Sequence, residues 1–266
     1  MNVFDEMGVY WAEIADQNQT ERQVQFIKNT PKTEGLVLDL ACGTGRHLIP
    51  LSMEGYGTVG LDVSPKLLRI AKNRWQEAQL VRGDMRFLPF KPKAFAAVVS
   101  MDTSFGYLPS EQDDMQSLGE VKETLSQGGA LIVDVFNRER LILKYKTKQR
   151  THLKWLFLPA LLEFPNRFAR WMLFRFFKWK EFPSFFLLPK RTVTTNGEQL
   201  HDLWVVCDKA DGQVRFFEHT ARLYEFKRLK VLLENAGFTA NQVYGDYEGQ
   251  NFSRYSSRLI LIASAE

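Results

Sequence analysis

Cysteine and histidine are scarce in this chain, with 2 and 4 among 266 residues. Two cysteines, Cys42 and Cys207, cannot build a disulfide framework, which points to a reducing, cytoplasmic setting. No uncharged apolar run reaches the roughly 18 residues that a membrane-spanning helix needs. The opening "MNVFDEMGVYW" lacks a basic leader followed by an apolar block, so a secretory signal is not expected. Internal repeats and low-complexity tracts are absent, and with them repeat architectures. No metal site is expected.

What is present describes a globular protein. The chain is 45% hydrophobic and 25% charged, with ample material for a core, as one large α/β domain or a core domain carrying an insertion. The net charge of +4 is unevenly spread. Residues 138–191 hold 14 Lys and Arg against 3 Asp and Glu, which leaves the remainder acidic.

The pattern is helical from Tyr10 to about Asn29, with "TERQ" (Thr20 to Gln23) readable as a capping box. "GLVLDLA" is a short apolar run of the kind buried on both faces of a parallel sheet. A helix follows the glycines after it. "GTVGLDV", "QLVRGD", "FAAVVSMD" and "ALIVDVF" read as further strands. They alternate with a helix opened by Pro65 and another, "DDMQSLGEVKETLSQGG", closed by glycine. Such alternation predicts a parallel sheet with right-handed crossovers. After Phe136 the rhythm breaks. Helices are expected at about 138–147 and 165–181, then antiparallel strands with turns at Asn196-Gly197 and Asp211-Gly212. A helix at "KRLKVLLENAGF" and strands at "TANQVYGDY" and "SRLILIAS" complete the sheet. The expected domains are residues 1–137 and 223–266 as the core and 138–222 as an inserted cap.

The stretch "LVLDLACGTGRHLIPL" carries the first chemistry. Gly43 and Gly45 let backbone approach a ligand, and the following helix offers unpaired N–H groups and a positive dipole end. The alternative is a merely tight strand-to-helix turn. A dinucleotide fingerprint also wants a small residue where this chain has Leu48, which argues against NAD or FAD. Asp62 ends the second strand, where a carboxylate can accept ribose hydroxyls, and Asp84 follows the third, beside an adenine position. Asp39, inside the first strand, favours a cationic ligand over a phosphate. These residues suggest an adenosine carrying a positive sulfonium.

In order, "VLDLACGTGRH", "GLDVSPKLL", "GDMRFLPF" and "GGALIVDVF" resemble the motifs of class I S-adenosylmethionine-dependent methyltransferases. The closing "LLENAGF…VYGDYEG…SSRLILIA" is similar to a branch of small-molecule methyltransferases. The resemblance covers about 36–137 and 223–264. It implies a Rossmann-like seven-stranded sheet with its last strand antiparallel, and S-adenosyl-L-methionine as cofactor, leaving S-adenosyl-L-homocysteine. It also implies that Gly43 and Gly45 approach the methionine portion, that Asp62 with Val63 meets the ribose, and that Asp84 and Met85 border the adenine. Tyr10, Asp39 and Met101 join the expected cofactor set, and Tyr10 and Trp11 fold over the cofactor as in relatives.

Methyl transfer needs a positioned nucleophile and, where that nucleophile is protonated, a base. The fourth strand ends "SMDTSFGYL", without the Asn/Asp-Pro-Pro-Tyr/Phe element of amide and adenine N-methyltransferases. No Pro-Cys nucleophile of the cytosine type occurs. Asp102, Thr103 and Tyr107 should face the reacting methyl, with turn capping by Asp102 as the alternative. His201 and His219 are candidate bases, because an imidazole titrates near neutral pH. Each could equally serve packing or lie at the surface. His47 is assigned to the cofactor or to structure, His152 to solvent.

Within "PNRFARWMLFRFFKWKEF", helical spacing puts Arg167, Arg170, Arg175 and Lys178 on one side. Phe168, Met172, Phe176 and Trp179 fall on the flank and opposite side. Residues 151–189 therefore read as a helix on an anionic membrane surface, or as a cap or homodimer face. Nucleic acid is the less favoured partner. The expected protein is a cytoplasmic methyltransferase, peripheral on membrane in one reading, with a small-molecule or lipid-like acceptor methylated at O, N or C. The alternatives are an RNA methyltransferase and a non-catalytic membrane-surface module.

Overall fold

The computed structural model describes residues 3–16, 19–30, 35–146 and 177–266. The chain forms two compact units, Met1–Arg140 with Ala221–Glu266, and Leu141–Thr220.

The first unit is built on β1 (Leu36–Leu40), β2 (Gly57–Asp62), β3 (Leu80–Arg82), β4 (Phe95–Ser100) and β5 (Leu125–Phe136). It is completed by β10 (Phe238–Tyr244) and β11 (Arg258–Ala265), in the sheet order β10-β11-β5-β4-β1-β2-β3. β1 to β5 pair in parallel, and β11 runs antiparallel to both of its neighbours. Seven strands with the last one reversed is the expected sheet.

Alternation along the strands sends side chains to opposite faces. On one face Leu38, Val98, Leu131 and Leu261 pack with helices α6 (Glu111–Thr124) and α8 (Phe226–Asn235) through Leu118, Val121, Leu229 and Leu233. On the other, Val37, Val99, Ile132 and Ile260 pack with Val24, Phe26 and Ile27 of α3 (Thr20–Lys28). Both faces are covered, and the parallel strands accordingly read as nearly continuous apolar runs.

The expected N-terminal helix is interrupted. α1 (Val3–Met7) and α2 (Val9–Asp16) are separated at Gly8, whose φ is +45°, and α3 is a separate helix. The capping box at Thr20 does not form. Gln19 is the N-cap, Thr20 Oγ1 accepts from Arg46, and Gln23 turns its amide to Tyr247 and Arg46 instead. A true capping box sits at α6, where Ser110 and Asp113 exchange side-chain and backbone hydrogen bonds. The expected glycine stop of α6 is also corrected. The chain turns extended at Leu125, so Gly128 and Gly129 lie inside β5. α5 (Pro65–Arg74) begins as expected, with proline in its first turn and Ser64 as cap.

The second unit carries β6 (Lys180–Glu181), β7 (Phe185–Val193), β8 (Gln199–Asp208) and β9 (Val214–Arg222) in that order. The turns expected at Asn196-Gly197 and Asp211-Gly212 are present, with Gly197 and Gly212 at φ +73° and +68°. Helix α7 (Arg138–Lys146) matches the first helix expected after β5. Of the helix expected at 165–181, residues 165–176 lie outside the described residues, as does His152. Residues 177–181 are not helical. Lys180 pairs with Leu187 across an antiparallel ladder, and Phe177 packs with Leu188 and Val205 in this unit's core. Within 151–189, residues 151–176 lie outside the description. Phe182, Phe185, Leu187 and Leu188 are buried and add nothing to an exposed apolar patch. Among the described residues no helix is long and apolar enough to cross a membrane.

Candidate cofactor and acceptor site

The chemistry-bearing residues of the first unit gather at the carboxyl ends of its parallel strands, the usual place for a ligand on an open α/β sheet. β1 runs into a turn with three left-handed residues, Ala41 (φ 61°), Gly43 (54°) and Gly45 (74°). A side chain at Gly43 would project into space whose nearest atoms, Leu67 Cδ1 and Trp11 Nε1, are 4.0 Å away. Glycine there leaves a cradle open.

Asp62, buried at the end of β2, holds this turn. Its Oδ2 accepts the Gly43 N–H at 2.8 Å and its Oδ1 accepts the Ser64 N–H at 2.8 Å. Burial raises its proton affinity, and those backbone donors oppose the shift. The expectation of open N–H groups on the following helix is corrected. Helix α4 (Leu48–Met53) is short, the Leu48 N–H serves Asp39, and the Ile49 N–H donates to Gly45 O at 2.8 Å. Burial pushes Asp39 up to about 7, opposed by the Arg46 charge. Asp39 Oδ2, Thr44 Oγ1 and Ser100 Oγ are all buried with no hydrogen-bond partner among the described residues.

Unsatisfied buried oxygens cost free energy unless something donates to them. Two buried carboxylates of raised proton affinity call for a cation. The open glycine cradle, the carboxylates and the orphaned oxygens therefore fit an adenosine cofactor bearing a sulfonium and an ammonium, and fit a pyrophosphate poorly.

Asp84, after β3, is bound on both oxygens by Arg86, which also donates to Asp113 at 2.9 Å. The guanidinium holds Asp84 below the usual carboxylate range. Met85 packs against the core, while Val63 and Phe87 remain exposed at the neighbouring strand ends. Tyr10 is buried in α2, and Met101 is buried just past β4. α1 and α2 close on the turn: Asp5 accepts from Ser64 Oγ at 2.6 Å, and Phe4 meets Trp11 and Tyr107 edge-on at 4.9 and 5.1 Å.

Beyond β4, Asp102 and Thr103 are consecutive left-handed residues at φ 53° and 67°. Such conformations cost about 1–3 kcal/mol each and persist only when neighbours impose them. Asp134, fully buried on β5, supplies that constraint. Its Oδ2 accepts the Asp102 N–H at 2.8 Å and its carbonyl accepts the Thr103 N–H at 2.8 Å. Arg258 donates to Asp134 Oδ1 at 2.7 Å and to Thr103 Oγ1 at 2.7 Å. The Asp102 carboxylate pairs with Arg46 at 2.8 Å and remains 25% exposed. Asp102 therefore does more than cap its own turn.

Of the histidines, His47 is buried, held below its usual range by desolvation, and bonded to Gln23 at 2.9 Å. His201 and His219 belong to the second unit. His201 meets Thr220 Oγ1 at 3.0 Å, and His219 lies buried 3.5 Å from Asp202, which Arg191 also grips. Sequence reasoning missed Gln23, Arg46, Asp134, Tyr247 and Arg258 altogether. Only Asp134 had a local signal, as the charged residue within the run "LIVDVF".

Residues 37–129 match the model of a family described as "Methyltransferase domain". A sugar enzyme of Streptomyces venezuelae, dTDP-3-amino-3,4,6-trideoxy-alpha-D-glucopyranose N,N-dimethyltransferase, is 40% identical over 105 residues, covering 40% of this chain and 44% of that one. The chain thus spans about half the length of the curated relatives first matched. An S-adenosylmethionine-dependent methyltransferase from Clostridium acetobutylicum superposes with a TM-score of 0.75 at 16% identity, over 99% of each chain. CalS10, an amino pentose methyltransferase of Micromonospora echinaspora solved with its cofactor bound, superposes with 0.63 at 18%, over 97% of each.

Proposed function

We propose that the first unit carries a class I S-adenosylmethionine-dependent methyltransferase domain and that the chain methylates an amine nitrogen of a small, sugar-like acceptor. Asp39, Gly43, Gly45, Asp62 and Val63 would hold the methionine and ribose portions, and Asp84 with Met85 the adenine. The cofactor brings a methyl group already activated by the positive sulfur, so the protein's task is placement. Asp102 is the observation that supports an amine. A partly exposed carboxylate on an imposed left-handed turn, with Arg46 on one oxygen and the Arg258 guanidinium 4.0 Å from the other, would accept an N–H and aim the nitrogen lone pair away from itself. An amine arrives protonated at neutral pH and would give that proton to bulk water before its nitrogen attacks the methyl carbon, whose bond to sulfur breaks to leave S-adenosylhomocysteine. A carboxyl group there suits a hydrogen-bond donor better than an anionic acceptor. The amino-sugar relatives agree with this acceptor class.

The test uses the purified chain, methyl-labelled cofactor and four acceptors: a nucleotide-linked amino sugar, glycine, a quinol in vesicles, and transfer RNA. Label is expected on the amino sugar, with turnover lowered at least about tenfold in Asp102→Asn. Label on the quinol or the RNA alone would reject the amine reading.

A further inference from the structure

Five residues from five separate segments close a ring of polar contacts in the first unit. From the glycine turn, Arg46 Nη2 pairs with Asp102 Oδ2 at 2.8 Å, and its Nη1 donates to Gln23 Oε1 of α3 at 2.6 Å. Gln23 Nε2 donates to the Tyr247 hydroxyl at 2.8 Å. That hydroxyl donates to Asp134 Oδ2 at 2.8 Å, and the same oxygen accepts the Asp102 N–H at 2.8 Å. Four of the five links are hydrogen bonds of fixed sense, because a guanidinium only donates and a carboxylate only accepts, and the Arg46–Asp102 link is an ion pair. The amide of Gln23 can complete the ring in one orientation alone. Burial and the Asp134 charge keep the Tyr247 hydroxyl protonated, so its donor is always in place.

We propose that Gln23 and Tyr247 are positioning residues, which hold the acceptor-facing Asp102 against the cofactor turn without touching either ligand. Of the ring members, Arg46 belongs to the glycine turn and Asp102 to the end of β4. The other members set where those two side chains and the strained turn stand. The ring explains how two left-handed, non-glycine residues persist in succession, and it predicts that its members act as a unit. This inference builds on Asp102 as the acceptor group, but its first readout needs no acceptor.

The experiment compares the full chain with Tyr247→Phe, Gln23→Glu and the double variant. Glutamate at 23 still accepts from Arg46 and His47 but has no N–H for Tyr247. Amide exchange is followed over 101–107, with 130–135 of the core as control, and S-adenosylhomocysteine affinity is measured by calorimetry. Each single variant should speed exchange at 101–107 by about tenfold, the worth of one hydrogen bond to a charged network. The double variant should add little more, 130–135 should be unchanged, and S-adenosylhomocysteine affinity should stay within about twofold. With any acceptor that turns over, kcat should fall and the acceptor KM rise while the cofactor KM holds. Unchanged exchange at 101–107, equal acceleration in 130–135, or losses that multiply in the double variant would each overturn the proposal. Failure of the amine reading would instead appear as the expected exchange pattern without methylation of the amino sugar.

Discussion

Asp62 and Asp39 are both buried carboxylates beside one turn, and they predict different things. Asp62 is satisfied by two backbone donors and holds Gly43 in place. Asp62→Ala should weaken S-adenosylhomocysteine binding at least about tenfold, measured by calorimetry, through loss of both turn geometry and ribose contact. Asp39 has an orphaned oxygen and a pKa pushed up to about 7 by burial. In the folded, unliganded chain it keeps a proton that the unfolded chain releases near pH 4. Its contribution to stability is therefore full below about pH 4 and lost as pH rises towards 7. A bound cation selects the ionised form, so affinity for S-adenosylmethionine should rise about eightfold from pH 6 to 7.5. In Asp39→Asn the profile should be flat over that range. Both aspartates were legible in the sequence, since each ends or interrupts an apolar strand run beside glycine. Of the ring, Asp102 was a sequence candidate and Asp134 carried a local signal, but Arg46, Gln23 and Tyr247 were not legible as site residues. Gln23 and Tyr247 stand 224 positions apart, and Arg258 and Asp134 stand 124 apart. No local period connects them, because sheet closure alone brings them together.

At the scale of elements, the strands and most helices of the first unit followed from apolar runs and glycine punctuation. The misreadings came where side chains found distant partners. Thr20 and Gln23 have capping-box spacing but bond to Arg46, whereas Ser110 and Asp113, with equally suitable spacing, do cap α6. Ser110→Ala should accordingly cost about 1 kcal/mol in denaturant unfolding, and Thr20→Ala should cost no N-cap energy. Lys180 and Glu181 fall at the end of the helix expected at 165–181, Lys180 already off its charge pattern, and a ladder with β7 sets their period instead. Packing of α4 on β2 leaves no room at Gly60, where an added Cβ would stand 2.6 Å from Leu48 Cδ1 and 2.7 Å from Cys42 Sγ. Gly60→Ala should destabilise the chain by about 1–3 kcal/mol and displace the glycine turn, visible as weaker S-adenosylhomocysteine binding.

For the whole molecule, the adenosine site predicts a ligand preference that thermal unfolding can read. S-adenosylhomocysteine at a hundred times its Kd stabilises its folded site by about 2.7 kcal/mol. For a chain of this size that raises the midpoint by roughly 5–10 °C. NAD at the same concentration should leave the midpoint within about 1 °C, and an equal shift with NAD would reject the cofactor assignment.

The ring also sets an order in time. A ribosome delivers Gln23, the glycine turn, Asp102 and Asp134 before the second unit, and Tyr247 after it. During synthesis the nascent chain can shape the cofactor turn and place Asp102 beside Asp134 while Tyr247, which completes the ring, is still missing. The ring therefore closes only once Tyr247, between β10 and β11, has been added, so an interrupted translation product would carry the glycine turn and Asp102 with the ring still open.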